Sequence, residues 1–141
     1  MLTEALTALA VVAVLALALY LGMAYGTSAT AAERENLRAT QIVLNRMEGI
    51  RLFTWDQLVD PALNPGTFTE YFLNTGTNRG VQYNGTVVVS TNLTLSPPAA
   101  YSANMRMVTV QLTWTKGSAT HRCQMSTYVS KNGVQNYIFN N

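Results

Sequence analysis

The sequence predicts an α+β protein in which one long N-terminal helix packs on a small antiparallel sheet of three or four strands. Three observations predict this fold: an apolar run near the start, an amphipathic stretch of helical period after it, and two-residue alternation in the second half. The resulting segments are an apolar helix half at 1–28, an amphipathic helix half at 29–60, a connecting loop at 61–80 and an antiparallel sheet at 81–141.

The apolar run covers residues 5–24 and contains no charged side chain. Twenty helical residues rise by ~30 Å, which is the thickness of the hydrocarbon core of a bilayer. The rest of a 141-residue chain is too small to enclose such a helix on all sides. We therefore expect a membrane or other protein copies to cover it.

The flanks of this run carry unusual charges. Glu4 is the only charged residue before it, and the first basic residue is Arg34. A secretory signal has basic residues ahead of its apolar stretch, and cytoplasmic flanks of membrane spans are basic. Two interpretations stay open: an unusual topology, or a basic leader that has been removed ahead of Met1.

Glu4 itself has two interpretations. A carboxylate at the rim of an apolar span is costly in lipid unless it finds a partner. In parallel, axially staggered helices, Glu4 of one copy could neutralise the amino terminus of its neighbour. Alternatively, Glu4 lies at the level of the lipid headgroups and stabilises the N-terminus of its own helix.

The amphipathic stretch places apolar side chains at spacings of three and four residues, which predicts a stripe that faces the sheet. Its members are Thr40, Val43, Leu44, Met47 and Ile50. The helix is predicted to end near residues 56–60, before Pro61 and the Asn64-Pro65-Gly66 turn signal.

Residues 61–80 are rich in Asn, Thr and Gly and predict a loop with little regular structure. After them, inward-facing residues are expected at every second position of successive strands joined by tight turns. The turns are predicted at Lys116-Gly117-Ser118 and Lys131-Asn132-Gly133, and a short last strand at 134–139. The expected inward-facing sets are Tyr83, Val87, Val89, Leu93 and Leu95; Val108, Val110, Leu112 and Trp114; and Cys123, Met125, Thr127 and Val129.

The composition disfavours several kinds of chemistry. One Cys and one His preclude an internal disulfide and a closed Cys/His zinc site, and a net charge of +2 gives little attraction to nucleic acid. His121 and Cys123 share a strand face and are expected to pack. The carboxylates of Asp56, Asp60 and Glu70 are expected to be solvated. We predict that the chain is not an enzyme and uses no metal or cofactor.

Two triplets match the N-glycosylation pattern, Asn84-Gly85-Thr86 and Asn92-Leu93-Thr94. Such matches arise by chance in a segment rich in Asn and Thr. They predict modification at Asn84 and Asn92 only weakly. The low charge and the abundant Thr, Ser and Asn suit an exposed extracellular surface.

The N-terminal residues MLTEALTALA resemble the processed N-terminus of type IV pilins and of type II secretion pseudopilins. Residues 39–58, which end in Trp55-Asp56-Gln57-Leu58, resemble the second half of the long helix in that family, and the sheet follows in the same order. The resemblance covers essentially the whole chain. It departs at two points: Glu4 lies three residues beyond Met1 rather than four, and Gly22 and Gly26 replace the family's helix-breaking proline.

The resemblance implies a structural subunit of a type IV pilus-like extracellular filament. Met1 would be the processed and methylated residue, and Gly22 and Gly26 would mark a stretch that melts on assembly. The implied partners are further copies of the chain, the membrane before assembly, a leader peptidase with methylating activity and an ATP-driven assembly machine. The precursor would cross the inner membrane once before joining a filament on the cell surface. The residues assigned to filament contacts are Glu4, Leu6, Leu9, Val12, Leu15 and Leu19.

Two other functions stay open from the sequence. The chain could be a pseudopilin or minor pilin that primes or tips a filament for secretion or DNA uptake. It could also be a monomeric, membrane-anchored domain that uses its sheet to bind a receptor. Long homopolymers on the cell surface favour the first function, and single copies at filament tips favour the second. A monomer without self-association favours the third.

Overall fold

The computed structural model describes residues 2–91, 93 and 100–133. The chain forms two compact units, one up to Asn36 and one from Leu37 onward, and we call the second unit the head. Helix α1 runs from Leu2 to Arg51 and is continuous through both. The head adds strands β1 (Thr67–Tyr71), β2 (Gln82–Ser90), β3 (Met105–Lys116) and β4 (Ala119–Ser130), with short 3₁₀ helices at Gln57–Val59 and Ser102–Asn104.

The four strands form one antiparallel sheet in the order β1-β2-β3-β4. Neighbouring strands in space are also neighbours in sequence, so the sheet is a meander. The β3–β4 hairpin turns at Gly117-Ser118, where Gly117 has a φ of 60° and supplies the left-handed conformation that a tight hairpin needs. The predicted α+β architecture of a long helix on a small antiparallel sheet is confirmed.

The core of the head lies between one face of the sheet and the last four turns of α1. Alternate residues of β3 face the helix because side chains of a strand point to opposite faces in turn. They pack with inward residues of the neighbouring strands and with Leu58 from the segment after α1. The buried apolar residues are Ala39, Ile42, Val43, Met47, Ile50, Leu58, Tyr83, Val87, Val108, Val110, Leu112, Trp114 and Val129.

The buried stripe of α1 differs in part from the predicted one. Val43, Met47 and Ile50 are buried as expected, but Thr40 and Leu44 are exposed. Ala39 and Ile42 are buried instead. At 3.6 residues per turn, the buried set centres between positions 39 and 43, so Leu44 lies at the edge of the buried stripe, where it lines a groove with residues of β4. The spacing of apolar residues therefore predicts the buried face of α1 correctly, but not the residues at the centre of that face.

The helix also ends earlier than predicted, at Arg51 rather than near 56–60. Leu52 and Phe53 bond to carbonyls three residues back, and the Thr54 N–H donates to the side-chain Oε1 of Gln57 at 3.0 Å. The chain thus leaves the helical path before it reaches Pro61. This early exit directs Leu58 into the core, where only 1% of it is exposed.

The prediction of a loop at 61–80 was wrong for its central part, since Thr67–Tyr71 forms β1 at the edge of the sheet. The residues Thr-Phe-Thr-Glu-Tyr favour a strand, and this strand is completed by pairing with β2 across residues 72–81. On β2, Tyr83 and Val87 are buried and Val89 is half-buried, whereas Leu93 follows the end of the strand. Leu95 and the predicted strand at 134–139 lie outside the described residues.

Candidate functional site

The first unit exposes a continuous apolar surface. The five apolar side chains assigned to filament contacts are all well exposed, between 59% and 72%. None of the residues in the most apolar 18-residue window of α1 is buried. These side chains are Leu6, Leu9, Val12, Leu15 and Leu19. A continuous exposed apolar surface of this kind is typical of a surface that contacts a membrane or a protein partner.

By its length and apolar composition, α1 is able to cross a membrane. Three of its threonines donate their hydroxyl groups to carbonyls of the same helix. Thr7 donates to the Glu4 carbonyl at 2.9 Å, Thr27 to the Ala24 carbonyl at 3.0 Å and Thr30 to the Gly26 carbonyl at 2.9 Å. Satisfied hydroxyl groups lower the cost of placing these residues against lipid or apolar side chains.

Glu4 lies in the first turn of α1 and is exposed. A carboxylate at this position interacts favourably with the free N–H groups of the helix N-terminus. Met1, the residue predicted to be processed and methylated, lies outside the described residues. The role of Glu4 toward a neighbouring amino terminus stays a prediction.

Gly22 and Gly26 lie within the continuous helix α1, and a Cβ built at either one meets no other residue within 4 Å. Packing in the chain therefore does not require glycine at these two positions. Each glycine weakens a helix by ~1 kcal/mol relative to alanine. Local melting in an assembled form stays a prediction for this stretch.

His121 and Cys123 lie in β4 and face β3. The His121 ring stacks on Trp114 with 5.4 Å between ring centroids, and Trp114 in turn contacts Tyr83 at 5.5 Å. Cys123 is a half-buried free thiol opposite Leu112. Among the described residues, no group of three or more His, Cys, Asp and Glu side chains could hold a metal ion. His121 packs on Trp114, and Cys123 packs against the core of the head.

The segment Trp55-Asp56-Gln57-Leu58 connects the helix to the sheet. Arg106 of β3 lies 3.8 Å from the centre of the Trp55 ring and donates a hydrogen bond to the Trp55 carbonyl. The Asp60 Oδ1 accepts from the Ala62 N–H at 2.9 Å, which stabilises the following turn. Asp56 and Glu70 are exposed, on different elements of the head.

Of the two glycosylation triplets, the structure describes the first. Asn84 is exposed on β2, and its Oδ1 accepts from the Gln82 Nε2 at 3.0 Å. Its backbone carbonyl also accepts from the Thr113 hydroxyl at 3.3 Å. Asn92 lies outside the described residues.

Sequence reasoning missed the arginine contacts of the head, among them those of Arg46 and Arg106. Arg46 lies over the Phe68 ring at 5.0 Å, and the far end of that ring lies over Gly85. An isolated glycine within a strand is a known signal of close approach by another group, so Gly85 could have pointed to this contact. The Arg106–Trp55 contact joins residues 51 positions apart and leaves no such signal.

Comparison of the chain with protein-family models, with curated proteins and with solved structures finds no match.

Proposed function

We propose that this chain is a structural subunit that polymerises through the apolar part of α1 into a type IV pilus-like extracellular filament. The observation that carries the proposal is the exposure of the whole apolar run, none of which is buried, beside a head that has its own apolar core. Burying one leucine or valine side chain contributes ~1.5–3 kcal/mol. Several such side chains per copy supply enough free energy to hold a non-covalent filament together in water.

The proposed cycle uses two apolar environments in turn. In the membrane, α1 is covered by lipid, and in the filament, parallel α1 helices of other copies replace the lipid. Glu4 then neutralises the amino terminus of a neighbour, which removes the cost of burying an isolated charge. The sequence carries no nucleotide-binding motif, so an ATP-driven membrane machine would supply the work of extraction.

The proposal is tested with a matched pair of substitutions in native cells. Val12 and Val88 are exposed to similar extents, 62% and 57%, but Val12 lies in the apolar run and Val88 on β2 of the head. Aspartate in the middle of an apolar span costs ~2.5–3.5 kcal/mol in a membrane. We expect V12D to abolish filaments in sheared cell-surface material and V88D to preserve them. Filaments from V12D would contradict the proposal.

Glu4→Gln separates assembly from membrane insertion. The neutral glutamine keeps the helix apolar, so E4Q is expected to enter the membrane at the normal level. It is also expected to lose most filaments, because the neighbouring amino terminus is left without a counter-charge. A wild-type chain that stays monomeric in the membrane would instead favour an anchored binding domain.

A further inference from the structure

A groove of about 280 Å³ lies on the head between α1 and edge strand β1. Its walls carry two guanidinium groups, two side-chain amides and one carboxylate, and we call it the arginine groove. The residues that line it are Arg38, Ile42, Asn45, Arg46, Phe68, Glu70 and Asn74. Neither the proposed filament contacts nor the core of the head uses these charged groups.

Arg46 is held in place by a stack of three residues. Phe68 of β1 pairs with Gly85 of β2, and a Cβ at Gly85 would lie only 2.1 Å from the Phe68 Cζ. The missing side chain at Gly85 thus makes room for the Phe68 ring, and the ring supports the Arg46 guanidinium at 5.0 Å. A guanidinium group that stacks through its face keeps its N–H donors free at its edge.

Several of these donors have no acceptor. Nε and Nη2 of Arg46 and Nε of Arg38 are buried without a hydrogen-bond partner in the described part of the chain. Arg38 uses its Nη2 to bond the Asn74 Oδ1 at 2.9 Å and the Tyr71 carbonyl at 3.4 Å, which fixes its position. Glu70 lines the same groove, yet among the described residues it forms no ion pair with either arginine. A buried donor without an acceptor lowers stability, so a bound acceptor would stabilise this site.

We propose that the arginine groove binds a singly charged oxyanion, either a carboxylate or a phosphate group. Guanidinium groups bind such oxyanions through paired, charge-assisted hydrogen bonds. Glu70 reduces the net charge of the groove to +1 and therefore disfavours ligands with several negative charges. The oxyanion comes either from a small solute or from a carboxylate side chain of a second copy. This inference goes beyond the proposed filament function, because it concerns the folded head alone.

The test is a titration of the full chain dispersed in dodecyl maltoside micelles, with ¹⁵N-labelled arginine side chains. Acetate and then inorganic phosphate are added at constant ionic strength and mildly acidic pH, where the phosphate is mainly a monoanion, while the Nε resonances are followed. We expect saturating shifts at Arg38 and Arg46. Arg46→Gln, followed through Arg38, should weaken binding by about tenfold, since a charge-assisted bond is lost. Arg51→Gln, which removes an exposed partner of Glu48, is the control and should change nothing.

Glu70→Gln is expected to change anion binding in the opposite direction from Arg46→Gln. It removes the only carboxylate among the groove residues and lies on an exposed strand position, so the fold should tolerate it. Anion binding should become several-fold tighter. This variant keeps the proposal falsifiable even if Arg46→Gln fails to fold.

The outcomes separate the sources of the oxyanion. Saturating shifts with acetate or phosphate support a small solute. A carboxylate of a second copy is supported if the Arg38 and Arg46 resonances shift with protein concentration in the absence of added anion. In Arg46→Gln, the concentration-dependent shift at Arg38 should then disappear. Equal, unsaturated shifts at every arginine, or unchanged binding in Glu70→Gln, would overturn the proposal. Because the chains are dispersed in micelles, a failure to form filaments leaves this test unaffected.

Discussion

The contact between Gly85 and Phe68 allows a sharp prediction about the stability of the head. In Gly85→Ala, the new Cβ would lie 2.1 Å from the ring Cζ and 2.3 and 2.5 Å from the two Cε atoms. Ordinary contact between carbon atoms begins near 3.5 Å, so the ring must withdraw by roughly 1.4 Å. The ring is half-buried against the core and supports Arg46, so its withdrawal disturbs both.

The expected magnitude combines three effects. Overpacking costs about 1–3 kcal/mol, and a weakened contact between Arg46 and the ring costs a further ~0.5–1 kcal/mol. Alanine in a strand gains ~0.5–1 kcal/mol over glycine, which offsets part of this loss. We expect a net destabilisation of about 2 kcal/mol, which lowers the melting temperature of the head by roughly 8–16 °C.

The assay is thermal and denaturant unfolding of the full chain in micelles, followed by tryptophan fluorescence. Both tryptophans, Trp55 and Trp114, lie in the head, so the signal reports the head alone. The control is the same substitution in a Phe68→Ala background. Without the ring, Gly85→Ala should be neutral or stabilising by up to ~1 kcal/mol. An equal loss of stability in both backgrounds would refute the reasoning, because the clash would then not involve Phe68.

Two further predictions concern the same head and use the same fluorescence assay. Ile50→Ala should destabilise the head by ~2–5 kcal/mol, because Ile50 is only 1% exposed, whereas Leu44→Ala, at a position 42% exposed, should cost less than ~1 kcal/mol. Similar losses at both positions would contradict the observed centre of the helix stripe. Arg106→Lys should cost ~1–2 kcal/mol, because lysine keeps the charge but cannot stack its head group flat on Trp55. Arg51→Lys, at an exposed ion pair, is the matched control and should stay within ~0.5 kcal/mol.

The apolar helix and the central strand were predictable from the sequence, because each shows its own pattern within one short segment of the chain. The uncharged run of residues 5–24 and the alternation of Val108, Val110, Leu112 and Trp114 each predict one element by its own periodicity. The buried face of α1 was found only in part, since an exposed Leu44 has the same chemistry as a buried Ile42. Local residues do not show where the sheet meets the helix.

The missed features depend on tertiary contacts or on single side chains rather than on a repeated hydrophobic pattern. Strand β1 is stabilised by its pairing with β2, and the early end of α1 depends on the burial of Leu58 and on the Gln57 side chain. The arginine groove likewise joins α1 to β1 across more than twenty residues of chain. Such contacts come from the tertiary fold, so hydrophobic periodicity alone does not reveal them.

The central claim is that the apolar part of α1 has to be covered by lipid or by other copies of the same chain. The most direct measurement compares the intact chain with a chain that lacks residues 1–28, by sedimentation and electron microscopy in detergent-free buffer. We expect the truncated chain to be a soluble monomer with the tryptophan fluorescence of the folded head and to form no fibres. Fibres of native morphology from the truncated chain would contradict the claim.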